Sequence, residues 1–133
     1  MTLDIVKLPD PRLRVPCTRV PDGVVSQELL DLAEAMFETL RAANGVGLSA
    51  NQIGRTERLA VVQVPVGDRM FRRTLFNLEV TVVGPRRPRH EGCLSIPDRV
   101  VWPLRGHTVA FKYMSDEGIY YGNHVSGYPA QAL

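Results

Sequence analysis

The chain has 133 residues, with 16 basic and 14 acidic side chains and a formal net charge of +2. This length suits one domain with one core, and the near balance of charge excludes the strongly basic surface of a dedicated nucleic-acid-binding protein. No run of about 18 apolar residues suggests a transmembrane helix, and the N-terminus lacks the basic start and apolar stretch of a signal peptide. We therefore expect a cytoplasmic protein with no membrane partner and no specific nucleic-acid partner.

The first predicted element is a helix over residues 27–43. Ser26 is a good N-cap, and Glu28 places negative charge in the first turn. The apolar residues Leu29, Leu32, Ala33, Met36, Phe37 and Leu40 fall on one face at helical spacing. Asn44 and Gly45 are a plausible stop, because both tolerate positive φ. We expect the apolar face of this helix to pack in the core.

Short β-rich segments follow the helix, at residues 59–64, 74–83, 100–102 and 108–113. Residues 116–118 (Asp-Glu-Gly) predict the turn of a hairpin. One early helix, several strands and no βαβ alternation predict an α+β fold with antiparallel β-sheets. Residues 126–133 could open a second helix, in which Pro129 would suit the first turn.

Two groups of arginines stand out in the second half of the chain: Arg69, Arg72 and Arg73, then Arg86, Arg87 and Arg89. We interpret both as solvated loop residues, with contact to an acidic partner or to ribosomal RNA as the alternative. Cys17 and Cys93 lie far apart in the sequence, and no disulfide is expected in a reducing compartment. Cys17 is interpreted as a small packed residue.

Cys93 lies in residues 91–95 (Glu-Gly-Cys-Leu-Ser). Taken alone, it could be a buried thiol, a metal ligand or a nucleophile. A thiolate is a strong ligand for zinc or ferrous iron, but one cysteine cannot hold a metal without partners. A Cys-His hydrolase that pairs Cys93 with His107 or His124 is formally possible, although no local signature supports it.

Residues 45–52 (Gly-Val-Gly-Leu-Ser-Ala-Asn-Gln) form a second segment with chemical potential. Two glycines two positions apart let a backbone pass close to a ligand, because no Cβ stands in the way. Gln52 offers a neutral amide donor, which is useful beside a carbonyl oxygen that gains negative charge.

Together, residues 45–52 and 91–95 resemble two of the three signature motifs of the peptide deformylases. Residues 10–14 (Asp-Pro-Arg-Leu-Arg) resemble that family's N-terminal segment, and the likeness spans nearly the whole chain. The short length is similar to that of the compact forms found in bacteriophages. Residues 77–78 (Asn-Leu) stand where the family usually has Asn-Pro, and we expect this difference to alter a strand edge only.

The resemblance implies a single peptide-deformylase-like domain over residues 1–133, with antiparallel β-sheets, an N-terminal helix and a truncated C-terminal helix. It also implies a metal-dependent hydrolase that removes the N-formyl group from the formyl-methionine of nascent polypeptides, with the ribosome as a further candidate partner. The implied cofactor is one divalent metal, Fe²⁺ in the cell, replaceable by Ni²⁺, Co²⁺ or Zn²⁺.

The resemblance assigns roles to individual residues. Cys93 is the implied metal ligand, and the Gln52 side chain and the Leu94 backbone N–H would donate to the formyl oxygen as it becomes an oxyanion. The implied substrate-binding residues are Gly45, Val46, Gly47, Leu48, Glu91 and Gly92, with Trp102 as a further apolar candidate.

The third motif of the family, a His-Glu-x-x-His helix, does not occur in these 133 residues. It would supply two further ligands and a general base. We therefore expect these residues alone neither to hold the metal tightly nor to hydrolyse formamide bonds. Two alternatives stay open: a non-catalytic relative that binds formyl-methionine peptides, and a small cysteine hydrolase.

Overall fold

The computed structural model describes residues 2–88, 91–101 and 104–126. The helix α1 spans Gln27–Ala42, and short 3-10 helices span Pro11–Arg14 and Ala50–Ile53. The strands are β1 (Gly47–Ser49), β2 (Leu59–Val66), β3 (Arg69–Pro88), β4 (Glu91–Cys93), β5 (Ile96–Val101), β6 (Leu104–Met114) and β7 (Tyr120–Ser126). This content confirms the predicted α+β class.

The helix α1 forms where local signals place it. The Ser26 hydroxyl accepts a hydrogen bond from the Leu29 N–H at 3.3 Å, which satisfies one otherwise unpaired donor of the first turn. Asn44 takes a φ of +55° just beyond the last turn, as the predicted stop requires. The face that packs in the core carries Leu32, Ala33, Met36, Phe37 and Leu40. Burial of each leucine, methionine or phenylalanine side chain stabilises the fold by about 1.5–3 kcal/mol.

Five strands form one antiparallel sheet in the order β1-β2-β3-β6-β7, and β4 and β5 pair separately. The β6–β7 hairpin confirms the turn predicted at residues 116–118, with Tyr113 opposite Tyr121. Ser126, expected to open a second helix, is instead the last residue of β7. The rest of that predicted helix, residues 127–133, lies outside the described residues.

Strand β3 is twice as long as predicted, because it continues in both directions beyond its apolar centre. Arg69, Arg72 and Arg73 therefore lie on a strand and not in a loop, which corrects the earlier interpretation. The Arg72 guanidinium lies 3.7 Å from the ring centroid of Phe37 and 3.4 Å from a Glu34 carboxylate oxygen. The Arg72 side chain is 42% exposed, so it is solvated as expected while one face of its guanidinium packs on Phe37.

The expectation for residues 77–78 is also corrected. Strand β3 lies between β2 and β6 in the centre of the sheet, and its pairing with β6 is irregular between Phe76 and Glu79. Asn77 occupies this bulge with a φ of +54° and is 1% exposed. The difference from the family pattern therefore falls in the interior of the sheet.

Both cysteines are unpaired, as predicted, but Cys17 is exposed and not packed. It lies in the N-terminal segment, next to Thr18, which bridges to Glu57. A search of the described helices for one long and apolar enough to cross a bilayer finds none.

Candidate functional site

Residues 91–95 form a tight hairpin. Strand β4 ends at Cys93, which pairs with Ile96 of β5, so Leu94 and Ser95 are the two residues of the turn. The Cys93 thiol is half-buried and unpaired. Ser95 is 4% exposed and is therefore one of the few buried polar side chains of the described chain.

Residues 45–52 lead from the end of α1 to the edge of the large sheet. The Gly45 N–H donates to the Leu40 carbonyl at 3.0 Å, which ends the helix and starts β1. Strand β1 pairs with β2 and stands at the edge of the sheet. The 3-10 helix Ala50–Ile53 follows and carries Gln52, and Gly54 closes it with a φ of +79°.

The fold brings the two segments into direct contact. The Gln52 Nε2 donates to the Ser95 hydroxyl at 3.3 Å, across 43 positions of sequence. The Gln52 Oε1 accepts from the Ser49 backbone N–H at 3.0 Å. Because Ser95 is two residues from Cys93, this contact brings the amide of Gln52 to the turn that follows the thiol.

A second contact between the segments is apolar. A Cβ on Gly45 would lie 2.9 Å from the Leu40 Cδ1 and 2.9 Å from the Leu94 Cδ1, which is too close for a carbon atom. The absence of a side chain at Gly45 thus allows Leu94 to pack against the end of α1. The close neighbours of this glycine are leucine side chains, so it has a packing role in addition to the substrate contact that the sequence predicts.

The N-terminal segment ties the two segments together. The Val6 N–H donates to the Gln52 carbonyl at 2.6 Å, and the Leu8 N–H donates to the Ser95 carbonyl at 3.1 Å. The Asn51 side chain also donates to the Leu13 carbonyl at 3.1 Å. Sequence reasoning missed these anchors because backbone groups mediate them, and no residue type marks such a contact.

The structure corrects one predicted substrate contact. The Leu48 side chain is 2% exposed and packs in the main core, so it cannot contact a bound methionine side chain. The Val46 side chain is 37% exposed and stays available as apolar surface beside β1. The backbone of Gly47 lies on the edge strand, Glu91 and Gly92 lie on β4, and Trp102 lies outside the described residues.

The donor set at Cys93 fits part of a metal site. An unpaired, half-buried thiol beside neutral amide and hydroxyl groups is a suitable thiolate ligand for zinc or ferrous iron. Across residues 2–88, 91–101 and 104–126, no three His, Cys, Asp or Glu side chains cluster closely enough to hold an ion.

Comparisons with known proteins agree with this arrangement. The sequence model of the polypeptide deformylase family matches residues 2–133. The peptide deformylases of Zymomonas mobilis and Chromohalobacter salexigens are 35% and 36% identical to this chain, and each alignment covers 98% of it and 76% of the relative.

Solved structures give the same result. The peptide deformylase from Ehrlichia chaffeensis superposes with a TM-score of 0.90 at 26% identity, covering 99% of this chain and 79% of that one. The peptide deformylase from Legionella pneumophila superposes with a TM-score of 0.88 at 32% identity, covering 99% and 76%. The chain therefore belongs to the polypeptide deformylase family, whose members are metal-dependent hydrolases that remove the N-formyl group from newly made polypeptides.

Proposed function

We propose that the formyl group binds where residues 45–52 meet residues 91–95, with Cys93 as a metal ligand and with Gln52 and Leu94 as donors to the formyl oxygen. The observation that carries this proposal is the 3.3 Å hydrogen bond from Gln52 to Ser95. It joins the amide donor of one segment to the turn that follows the thiol of the other.

Two neutral donors can meet one carbonyl oxygen at this junction. The Gln52 Nε2 carries two hydrogens, and the hydrogen bond to Ser95 uses one of them. Leu94 lies in the turn beyond the last strand pair of β4 and β5, where a backbone N–H can face a ligand. Donors aimed at a developing oxyanion lower the barrier to amide hydrolysis, and the loss of one donor typically costs about 10²–10³-fold in rate.

The edge strand β1 supports a mode of peptide binding. Its far edge is not paired within the described sheet, so an extended substrate could add a strand beside Gly47. The exposed Val46 side chain offers apolar contact next to this edge. We propose that the formyl-methionyl backbone lies along β1 and that its formyl end reaches Gln52.

The proposed cofactor is one divalent metal, with Fe²⁺ as the native ion and Ni²⁺, Co²⁺ or Zn²⁺ as replacements. A divalent metal lowers the pKa of a water molecule that it binds, which makes a nucleophile available at neutral pH. Cys93 would hold the ion through its thiolate, and the family resemblance assigns the other protein ligands to a histidine pair. The protein's own contribution at this junction is to bind and orient the formyl carbonyl.

We also propose that residues 1–133 form one domain, that the protein works in the cytoplasm and that it acts on nascent peptides at the ribosome. One core that combines Val20, α1 residues and Met114 supports the single domain. An exposed free thiol at Cys17 together with the free thiol of Cys93 suits a reducing compartment. Formyl-methionyl chains are the proposed substrates, which places the reaction close to their synthesis.

The test uses a chimera in which the His-Glu-x-x-His segment of a relative follows Leu133. After anaerobic loading of this chimera with Fe²⁺ or Ni²⁺, its metal content and its release of formate from a formyl-methionyl peptide are measured. We expect one ion per chain and hydrolysis that a chelator abolishes. Cys93→Ala should lose both the ion and the activity. Cys17→Ser is the matched control, because Cys17 is the other cysteine of the chain and should be dispensable.

Two other outcomes would support a cysteine hydrolase or a non-catalytic binding protein instead. Hydrolysis that survives strong chelation but disappears in Cys93→Ala would identify a cysteine hydrolase. Binding of a formyl-methionyl peptide without formate release, in the metal-loaded chimera, would identify a non-catalytic binding protein. Either result would overturn the proposed metal-dependent hydrolysis.

A further inference from the structure

The orientation of the Gln52 carboxamide follows from its partners. The Ser49 backbone N–H lies 3.0 Å from one end of the amide, and a backbone N–H can only donate. That end must therefore be the oxygen, Oε1. The NH₂ end consequently faces Ser95. The oxygen and nitrogen of a side-chain amide have similar shapes, but here the hydrogen-bond partners distinguish them.

The backbone that carries the Ser95 hydroxyl is held in place independently of Gln52. Ser95 is 4% exposed and lies in a two-residue turn closed by the Cys93–Ile96 pair. The Ser95 carbonyl accepts from the Leu8 N–H at 3.1 Å, which fixes the turn from the outside. A hydroxyl can accept one hydrogen bond and still donate another, so Ser95 is a fixed acceptor for one N–H of Gln52.

We propose that Ser95 is a positioning residue: its hydroxyl holds one N–H of Gln52 so that the other N–H points to the formyl oxygen. This inference rests on the proposed role of Gln52 as a donor to that oxygen. Ser95 itself does not contact the reacting atoms. Its effect is to restrict rotation of the Gln52 amide before the substrate binds. The entropy cost of orienting the amide is then not incurred at each binding event.

The geometry explains why two anchors are needed. Ser49 holds Oε1 through its backbone N–H at 3.0 Å and its hydroxyl at 3.2 Å, but both contacts are at the oxygen end and leave the NH₂ end free to tilt. Ser95 adds a contact at the opposite end of the carboxamide. Together they define the direction of the remaining N–H, and a misdirected donor can lose about as much rate as an absent one.

The test follows the Gln52 side-chain amide by ¹⁵N relaxation in the folded protein, and this readout needs neither metal nor activity. In the unaltered protein we expect the Nε2 order parameter to approach that of rigid backbone, about 0.85. Ser95→Ala should lower it below about 0.6, the range of flexible groups. Ser95→Thr keeps a hydroxyl and should restore the rigid value. Ser115→Ala, which removes a serine hydroxyl from the distant β6–β7 turn, is the matched control and should leave Nε2 unchanged.

Kinetics give the second readout. In the metal-loaded chimera that carries the His-Glu-x-x-His segment, Ser95→Ala should lower kcat for a formyl-methionyl peptide by about tenfold or more, because a misplaced group costs up to about 10²-fold. KM should change by less than about threefold, since the contact acts mainly in the transition state. Ser95→Thr should recover most of the rate. Should Ser95→Ala fail to fold, Ser95→Cys serves instead, because a thiol is a weak acceptor of similar shape.

The two proposals fail separately. An order parameter unchanged by both Ser95→Ala and Ser95→Cys would overturn the positioning role, whatever the activity. A lowered order parameter together with a metal-loaded chimera that never releases formate would support positioning by Ser95 while overturning the proposed hydrolysis. A lowered order parameter with an unchanged kcat would overturn the catalytic consequence proposed for Ser95.

Discussion

The side chain of Asn77 pairs with the backbone of Val20 in both directions. The Val20 N–H donates to the Asn77 Oδ1 at 2.7 Å, and the Asn77 Nδ2 donates to the Val20 carbonyl at 2.8 Å. The Asn77 side chain thus satisfies the backbone N–H and carbonyl of Val20, as a neighbouring strand would, and Val20 is itself 3% exposed. This pair fastens the N-terminal segment to the bulge in β3, and the same segment continues to the functional site.

Asn77→Ala should destabilise the protein by about 3–5 kcal/mol. It leaves the buried N–H and carbonyl of Val20 without partners, at about 1–3 kcal/mol for each group, and it places an alanine at positive φ. Urea unfolding measures the change. Asn77→Gly should cost about 1 kcal/mol less, because glycine tolerates the backbone conformation. Equal losses in both variants would show that the backbone conformation contributes nothing.

Asp22 should make stability depend on pH in acid. Hydrogen bonds from Tyr120 and then from Arg19 hold the pKa of Asp22 below its usual value of 3.8. The ionised carboxylate therefore stabilises the fold above pH 3.8, and this contribution disappears as the pH falls through the lower pKa of the folded state.

The measurement compares the free energy of unfolding of the unaltered protein with that of Asp22→Asn. The difference should be constant near about pH 6–7 and shrink below about pH 4. The same substitution in a Tyr120→Phe background should show a smaller difference, since the first cause of the shifted pKa is gone. A difference that grows as the pH falls would contradict the assignment.

Gly45→Ala should destabilise the junction between α1 and Leu94 by about 1–3 kcal/mol, because the added carbon overpacks two leucine side chains. The loss should be smaller than additive when Leu94→Ala is also present, because the shorter side chain makes room for the new methyl group. Denaturant unfolding of the two single variants and the double variant gives the coupling. If the losses in the free energy of unfolding of the two single variants simply add in the double variant, the new methyl group at position 45 does not displace Leu94.

In the chimera completed with the His-Glu-x-x-His segment, Gln52→Ala should lower kcat on formyl-methionyl peptides by about 10²-fold or more, as the loss of one oxyanion donor does. Gln52→Glu is the sharper variant, because it keeps the shape of the side chain and replaces the NH₂ donor with an acceptor. It should lose at least as much rate as Gln52→Ala. The control is Gln63→Ala on β2, a half-buried glutamine outside the site. An unchanged kcat in both Gln52 variants would remove Gln52 from the mechanism.

The metal affinity of the 133 residues should be weak, because a divalent ion needs more than one protein ligand. A chimera in which the His-Glu-x-x-His segment of a relative follows Leu133 should bind Ni²⁺ or Fe²⁺ at one ion per chain. Metal analysis after dialysis compares the two proteins, and Cys93→Ala in the chimera is the control. Equal and tight binding by the 133 residues would show that other side chains of this chain complete the site.

Local signals were sufficient for parts of the fold. The helix α1 was predictable to within a residue because its cap, its first-turn charge and its apolar face all lie within its own segment. The full extent of β3 was not predictable from local signals, because arginines continue the strand beyond its apolar centre. Those residues stay extended because β2 and β6 pair with them, and such pairing depends on partners far away in the sequence.

The candidate site also has features that were predictable from the sequence and features that were not. The sequence by itself determined the chemical groups, a thiol at Cys93 and an amide at Gln52, because two short motifs carry them. Only the tertiary structure decided that Ser95 meets Gln52, that Leu8 fastens the turn and that Leu48 faces the core. These facts depend on hydrogen bonds and packing between segments distant in the chain, and a motif specifies which groups are present but not which of them touch.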